Sequence, residues 1–155
     1  MSVIDLIVAA FVYYLPAYAV NGGMFFVGSM VEGGFPVSTK WIGPRKTFDG
    51  LFFAICCGLS VGFLVSSPQL GVFLGIGAWL GTVGNSFVKR QLGIKPSAPA
   101  PVLDQLDFVL GATLLGIFVE APKVEYFLII VPATFFIHRA MNILAYKAGL
   151  KDVPY

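Results

Sequence analysis

Long apolar runs broken by short stretches rich in glycine, proline and charge set the pattern of this chain. The runs cover residues 3–20, 51–65, 70–87, 102–119 and 126–146. None shows the period-2 alternation of a half-buried strand, and each comes close to the roughly 20 apolar residues that a helix needs to cross the hydrocarbon core. The pattern predicts an all-α integral membrane protein of about five transmembrane helices, read as one membrane-embedded domain over residues 1–155. Residues 66–69 and 120–123 are tight connections, whereas residues 21–47 and the polar stretch after Lys89, residues 90–101, form two long loops on the opposite face, and these predict the site of function. The third run carries Gly71, Gly75, Gly77, Gly81 and Gly84. Such small residues suit close helix contact, either within one chain or in a homodimer.

Composition agrees with the pattern. Hydrophobic residues make up 57% of the chain and charged residues 12%, against about 25% charged in a soluble domain. The first run has the length of a signal peptide, but Asp5 stands where a basic leader belongs and Asn21-Gly22-Gly23 where a cleavage site would be, so it is expected to remain as the first membrane helix. Cys56 and Cys57 are adjacent in an apolar run and read as packing residues. With five crossings, Lys40, Arg45, Lys46, Lys89, Arg90, Lys95, Arg139, Lys147 and Lys151 fall on one face and Lys123 alone on the other. Basic loops stay inside, which places the long loops and the carboxyl terminus in the cytoplasm, the amino terminus outside, and the protein in the cell membrane.

The chemistry-bearing residues gather on that basic face. Asp104 and Asp107 stand three apart at the start of the fourth run, on one helical face. An intramembrane carboxylate pair implies a cation beside it: either a metal, or simply Lys89, Arg90 or Lys95. With no His or Cys nearby, a metal set would be all oxygen, which points to Mg2+ rather than zinc. Lys89, Arg90 and Lys95, joined by Arg45 and Lys46, supply what phosphates require. Asn21, Thr47, Asn85 and Ser86 lie on the same face as hydrogen-bonding candidates. His138, the single histidine, faces either phosphate or the interface. No Walker-type or dinucleotide-binding glycine motif occurs, and nucleic acid is not an expected partner. Residues 23–31 are apolar and could guide lipid at the interface.

The sequence Ser86-Phe87-Val88-Lys89-Arg90, then Lys95, then Asp104-Gln105-Leu106-Asp107 resembles the signature of the CDP-diacylglycerol synthases, membrane-embedded CTP:phosphatidate cytidylyltransferases. Ser86, Lys89, Arg90, Lys95, Asp104 and Asp107 fill its places. Pro96 stands where that family has Asp, and residues 97–101 replace a glycine-rich stretch with its histidine. Gln105 occupies the usual Arg position. The short length and the segment Gly43-Pro44-Arg45-Lys46-Thr47-Phe48-Asp49-Gly50 are more similar to the archaeal branch, although Asp49 replaces an Arg there.

The resemblance implies Mg2+-dependent transfer of CMP from CTP to an archaeal ether-lipid phosphate, 2,3-di-O-geranylgeranylglyceryl phosphate, with release of pyrophosphate. Asp104 and Asp107 would hold the metal, with Lys89 and Lys95 in the catalytic set. Asn21, Lys46, Thr47, Asn85, Ser86, Lys89, Arg90 and Lys95 would bind nucleotide, and Arg45, Asp49 and His138 are secondary candidates. The competing expectations are the same reaction on ester lipid, another lipid phosphotransferase or kinase, and a small transporter or scaffold whose cytoplasmic charges bind anionic lipids.

Overall fold

The computed structural model describes residues 2–30, 34–65, 67–95, 98–147 and 149, apart from the side chains at 25–30 and 145. Val31, Ser66, Pro96, Ser97 and Lys151 lie outside the described residues. The chain runs α1 (Val3–Met30), β1 (Pro36–Ser38), β2 (Gly43–Thr47), α2 (Phe48–Val65), α3 (Pro68–Gln91), α4 (Leu103–Gly116) and α5 (Val124–Lys147). Three helix starts use the caps their residues predict. The Ser2 N–H donates to Asp5 Oδ2 at 2.8 Å while Ser2 Oγ accepts from the Asp5 N–H, a reciprocal capping box. Thr47 Oγ1 accepts the Gly50 N–H at the start of α2. Ser67 Oγ accepts the Leu70 N–H, with Pro68 in the first turn of α3.

Among the described residues, four helices contain spans long and apolar enough to cross a membrane: Val3–Met24, Phe48–Val65, Pro68–Gln91 and Val124–Leu144. The fifth, α4, has 14 residues, about 21 Å at the usual rise. It is shorter than the 102–119 run that predicts it, because the chain leaves the helix in a turn through residues 117–119. The loop expected to begin at Asn21 begins later, since α1 continues to Met30. Within its Gly-Gly pair, Gly23 serves helix packing instead of helix termination, since a Cβ there would stand 2.4 Å from the Phe53 ring of α2, whereas one on Gly22 would meet nothing within 4 Å. The remaining loop holds an antiparallel hairpin, β1 against β2, pairing Pro36 with Thr47 and Ser38 with Gly43. Asp49 ties it to α2 by accepting the Phe35 N–H at 3.0 Å.

Four glycines of α3 act on two faces. A Cβ on Gly71 would meet Gly58 O of α2 at 2.2 Å, and one on Gly75 would meet Ala54 O at 2.5 Å. On the other face, Gly77 lies against Gly111 and Ala112 of α4, and a Cβ on Gly81 would meet Asp107 O at 2.0 Å. Both neighbours therefore approach α3 backbone to backbone, the contact that dispersion rewards where lipid supplies no hydrophobic drive. Around this pair of interfaces Tyr14, Leu70, Leu74, Phe108 and Ile130 are fully buried. Replacement of Gly81 by Ala should destabilise the fold by about 1–3 kcal/mol through overpacking, read as a lower thermal midpoint in detergent. An unchanged midpoint would mean that α4 does not depend on this contact.

Candidate active site

Both long connections and four helices converge on one polar cavity of about 460 Å³. The hairpin brings Arg45 and Lys46; α1 brings Asn21, α3 brings Asn85, Ser86, Lys89 and Arg90, α4 brings Asp104, Gln105 and Asp107, and α5 brings His138, Arg139 and Asn142. The entry to α4 is strained. Val102 has φ +72° and ψ −56°, and the Leu103 N–H donates to Pro101 O at 2.9 Å. This is a positive-φ γ-turn, unusual for a β-branched residue. It turns the chain within one residue, so that Asp104 lies in the first turn of α4.

Asn85 organises the two carboxylates. Its amide nitrogen donates to Asp104 Oδ1 and to Asp107 Oδ2, each at 2.8 Å. Asp104 is held further by Lys89 Nζ at 2.9 and 3.0 Å and by the Ala100 N–H at 2.7 Å. Asp107 Oδ1 accepts the neighbouring Phe108 N–H. Asp107 thus has no cation in hydrogen-bond contact, whereas Asp104 shares the single ion pair among the described residues. Two amide oxygens, Asn85 Oδ1 and Gln105 Oε1, are buried without a hydrogen-bond partner. Among the described residues no group of three or more His, Cys, Asp or Glu side chains gathers. Two carboxylates beside uncommitted amide oxygens fit a hard, oxygen-seeking cation that completes its shell from water and phosphate, the habit of Mg2+.

The cations stand around this pair in distinct states. Lys89 is nearly buried, and its third contact is Ala98 O at 2.7 Å, so its ammonium fastens residues 98–104 onto α3. Arg90 donates from Nη1 to Ile94 O, while its buried Nε has no partner. The Lys46 ammonium is pushed below its ordinary range by desolvation, a loss partly offset by attraction to Asp107 and Asp104. An arriving polyphosphate would add counter-charge that offsets the hydration lost on burial.

Of the sequence-predicted residues, the cavity gathers Asn21, Arg45, Lys46, Asn85, Ser86, Lys89, Arg90, Asp104, Asp107 and His138. It does not gather Thr47 or Asp49, which cap α2 and tie the hairpin, nor Lys95, which is exposed beyond the end of α3. Of the two readings of the Asp pair, the ion-pair reading holds for Asp104, which is paired with Lys89, while Asp107 makes no ion pair among the described residues. Sequence reasoning passed over Thr82, Gln105, Arg139 and Asn142 as site residues. The signal was present in α5, where His138, Arg139 and Asn142 interrupt an apolar run and the Asn142 amide lies 3.3 Å from His138 Nδ1 at i, i+4 spacing.

The protein-family model described as CarS-like, CDP-archaeol synthase, matches residues 3–155. A CDP-archaeol synthase of Methanocaldococcus jannaschii is 37% identical, covering 96% of this chain and 97% of its own length. One of Sulfurisphaera tokodaii is 37% identical over the whole of both chains, and one of Hyperthermus butylicus 38% identical over 91% and 92%. A solved intramembrane enzyme for archaeal membrane lipid biosynthesis superposes with a TM-score of 0.72 at 29% identity, covering 88% of this chain and 94% of the other.

The Lys89–Asp104 pair should show as thermodynamic coupling. Replacing Lys89 by Met leaves a carboxylate without its cation and should cost about 1–3 kcal/mol, less than a fully buried pair because Asp104 keeps some solvent. In the Lys89→Met background, Asp104→Asn should recover part of that loss. Thermal unfolding of the four proteins in detergent would reveal strictly additive losses if the pair were inert.

Proposed function

The chain belongs to the CarS-like CDP-archaeol synthase family and is a cytidylyltransferase of archaeal lipid biosynthesis, and from that premise we propose the substrates, the metal and the membrane face that its cavity serves. The nucleotide is CTP, the acceptor is 2,3-di-O-geranylgeranylglyceryl phosphate, and the cavity faces the cytoplasm. The observation that carries this reading is the single cavity in which Asn85 spans two carboxylates while Arg45, Lys46, Lys89, Arg90 and Arg139 surround them.

In this reading a lipid-phosphate oxygen attacks the α-phosphorus of CTP. The new P–O bond forms as the bond from the α-phosphorus to the bridging oxygen breaks, and pyrophosphate leaves with that electron pair. No general base is required, because a phosphate monoester has its second pKa near 6 and arrives ionised. The chain's part is positioning and charge stabilisation. Asp107 and Asp104 would hold Mg2+, whose role when bound is to neutralise charge on the triphosphate. Lys46, Arg90 and Arg45 face the departing negative charge, Asn21 and Ser86 offer hydrogen bonds to the nucleotide, and His138 with Arg139 approaches from α5. Lys89 acts chiefly by holding Asp104 and the Ala98 carbonyl in place.

Purified protein in detergent should convert CTP and ether-lipid phosphate to CDP-lipid with one pyrophosphate per turnover, and chelation of divalent metal should abolish the reaction. Asp107→Asn should lower kcat by about a hundredfold or more, with ATP a poor substitute for CTP. Turnover by Asp107→Asn at the wild-type rate would remove the metal role. Equal use of ester and ether lipid would widen the substrate class, and release of a nucleoside diphosphate would identify a kinase instead.

A further inference from the structure

Four glycines of α3 are explained by what their missing side chains would strike: Gly71 and Gly75 against α2, Gly77 and Gly81 against α4. Gly84, one turn beyond Gly81, is different, since a Cβ there would meet nothing within 4 Å. A glycine inside a helix is disfavoured relative to alanine by about 1 kcal/mol, and no protein atom accounts for this one. The space before it is a groove of about 440 Å³ between α3 and α4. Leu80 and Val88 of α3 and Leu106, Leu110 and Leu114 of α4 wall it, with Val102 at the strained entry to α4.

The polar side chains lining this groove are Asn85 and Asp107, which also line the charged cavity. The two compartments therefore adjoin at the carboxylate pair. Asn85 is 8% exposed and its Oδ1 has no partner. From Leu103 to Leu114 the α4 wall runs about 16 Å at the helical rise. An apolar trough ending on a phosphate site has the shape of an amphiphile. We propose that the groove seats a hydrocarbon chain of the lipid phosphate and that Gly84 gauges it, its bare backbone leaving the width the chain requires. The assignment rests on the lipid-phosphate reading above.

The test uses the full chain in detergent with CTP and Mg2+, and two acceptors: a long-chain ether-lipid phosphate and a short-chain, water-soluble glyceryl ether phosphate. Gly84→Phe should raise KM for the long-chain acceptor roughly tenfold or more, leaving KM for CTP and turnover of the short acceptor within about twofold. Gly84→Ala should remain close to wild type. Leu114→Trp, at the far end of the groove, should impair the long acceptor alone, and it decides the matter if Gly84→Phe fails to fold as judged by thermal shift with CTP. Folded variants with wild-type KM for both acceptors would overturn the inference while leaving the functional reading intact. A change in oligomeric state by light scattering without a change in KM would overturn it too, by making the groove an interface between copies. A wild-type chain that turned over neither lipid would remove the functional reading and this inference together.

Discussion

The contact between the Gly81 backbone and the Asp107 carbonyl is the constraint from which the site follows. At that point α3 and α4 have no side chain between them, so the first turn of α4 lies against the polar end of α3. Only at this separation can one amide, Asn85, reach both Asp104 and Asp107 at 2.8 Å. A methyl group at position 81 would act across the interface as a wedge and lengthen both bonds at once. Packing density at a helix crossing and the electrostatics of the cavity are here the same variable.

Placing charge at the edge of a membrane is costly unless each group has a partner. Lys89 shows how the cost is met. Its ammonium has three hydrogen-bond acceptors, two on Asp104 and one on Ala98, so the cation that neutralises one carboxylate also fixes the connection before α4. What remains unmet is equally ordered. Asn85 Oδ1 and Gln105 Oε1 lack donors and Arg90 Nε lacks an acceptor, and Lys46 is only partly compensated. The oxygens suit a cation and the nitrogens an anion, which is what the proposed metal and nucleotide phosphates would bring.

Helix number and the position of the polar face were legible in the sequence because apolar run length and charge placement are local properties. So was the grouping of Ser86, Lys89, Arg90, Asp104 and Asp107, whose spacing survives unchanged in the fold. Helix ends were less legible. Asn21-Gly22-Gly23 carries the residues of a loop, and only the Phe53 ring, distant in sequence, explains why α1 continues. Lys95 was grouped with Lys89 by proximity along the chain, but the turn after Gln91 carries it outward. Arg139 and Gln105 were visible as polar residues in apolar runs, yet nothing local tells which wall of a cavity such residues line. The hairpin was hidden by its brevity, and the division of α3 glycines between two partners requires knowing both neighbours.

One feature of the bundle bears on its surroundings. Three tyrosines of α1 reach across it: Tyr13 donates to Glu120 O at 2.5 Å beyond the end of α4, Tyr14 shares a hydrogen bond with Thr113 within α4, and Tyr18 shares one with Thr134 in α5. In a medium without competing water such bonds are not readily exchanged. Because α4 is too short to register itself against both interfaces, its height is set by its neighbours, by α3 through the glycine contacts and by α1 through Tyr13 and Tyr14. The two carboxylates at the start of α4 are thereby tied, through their own helix, to α1 as well as to α3, so that their depth is set by the long helices and not by the length of α4.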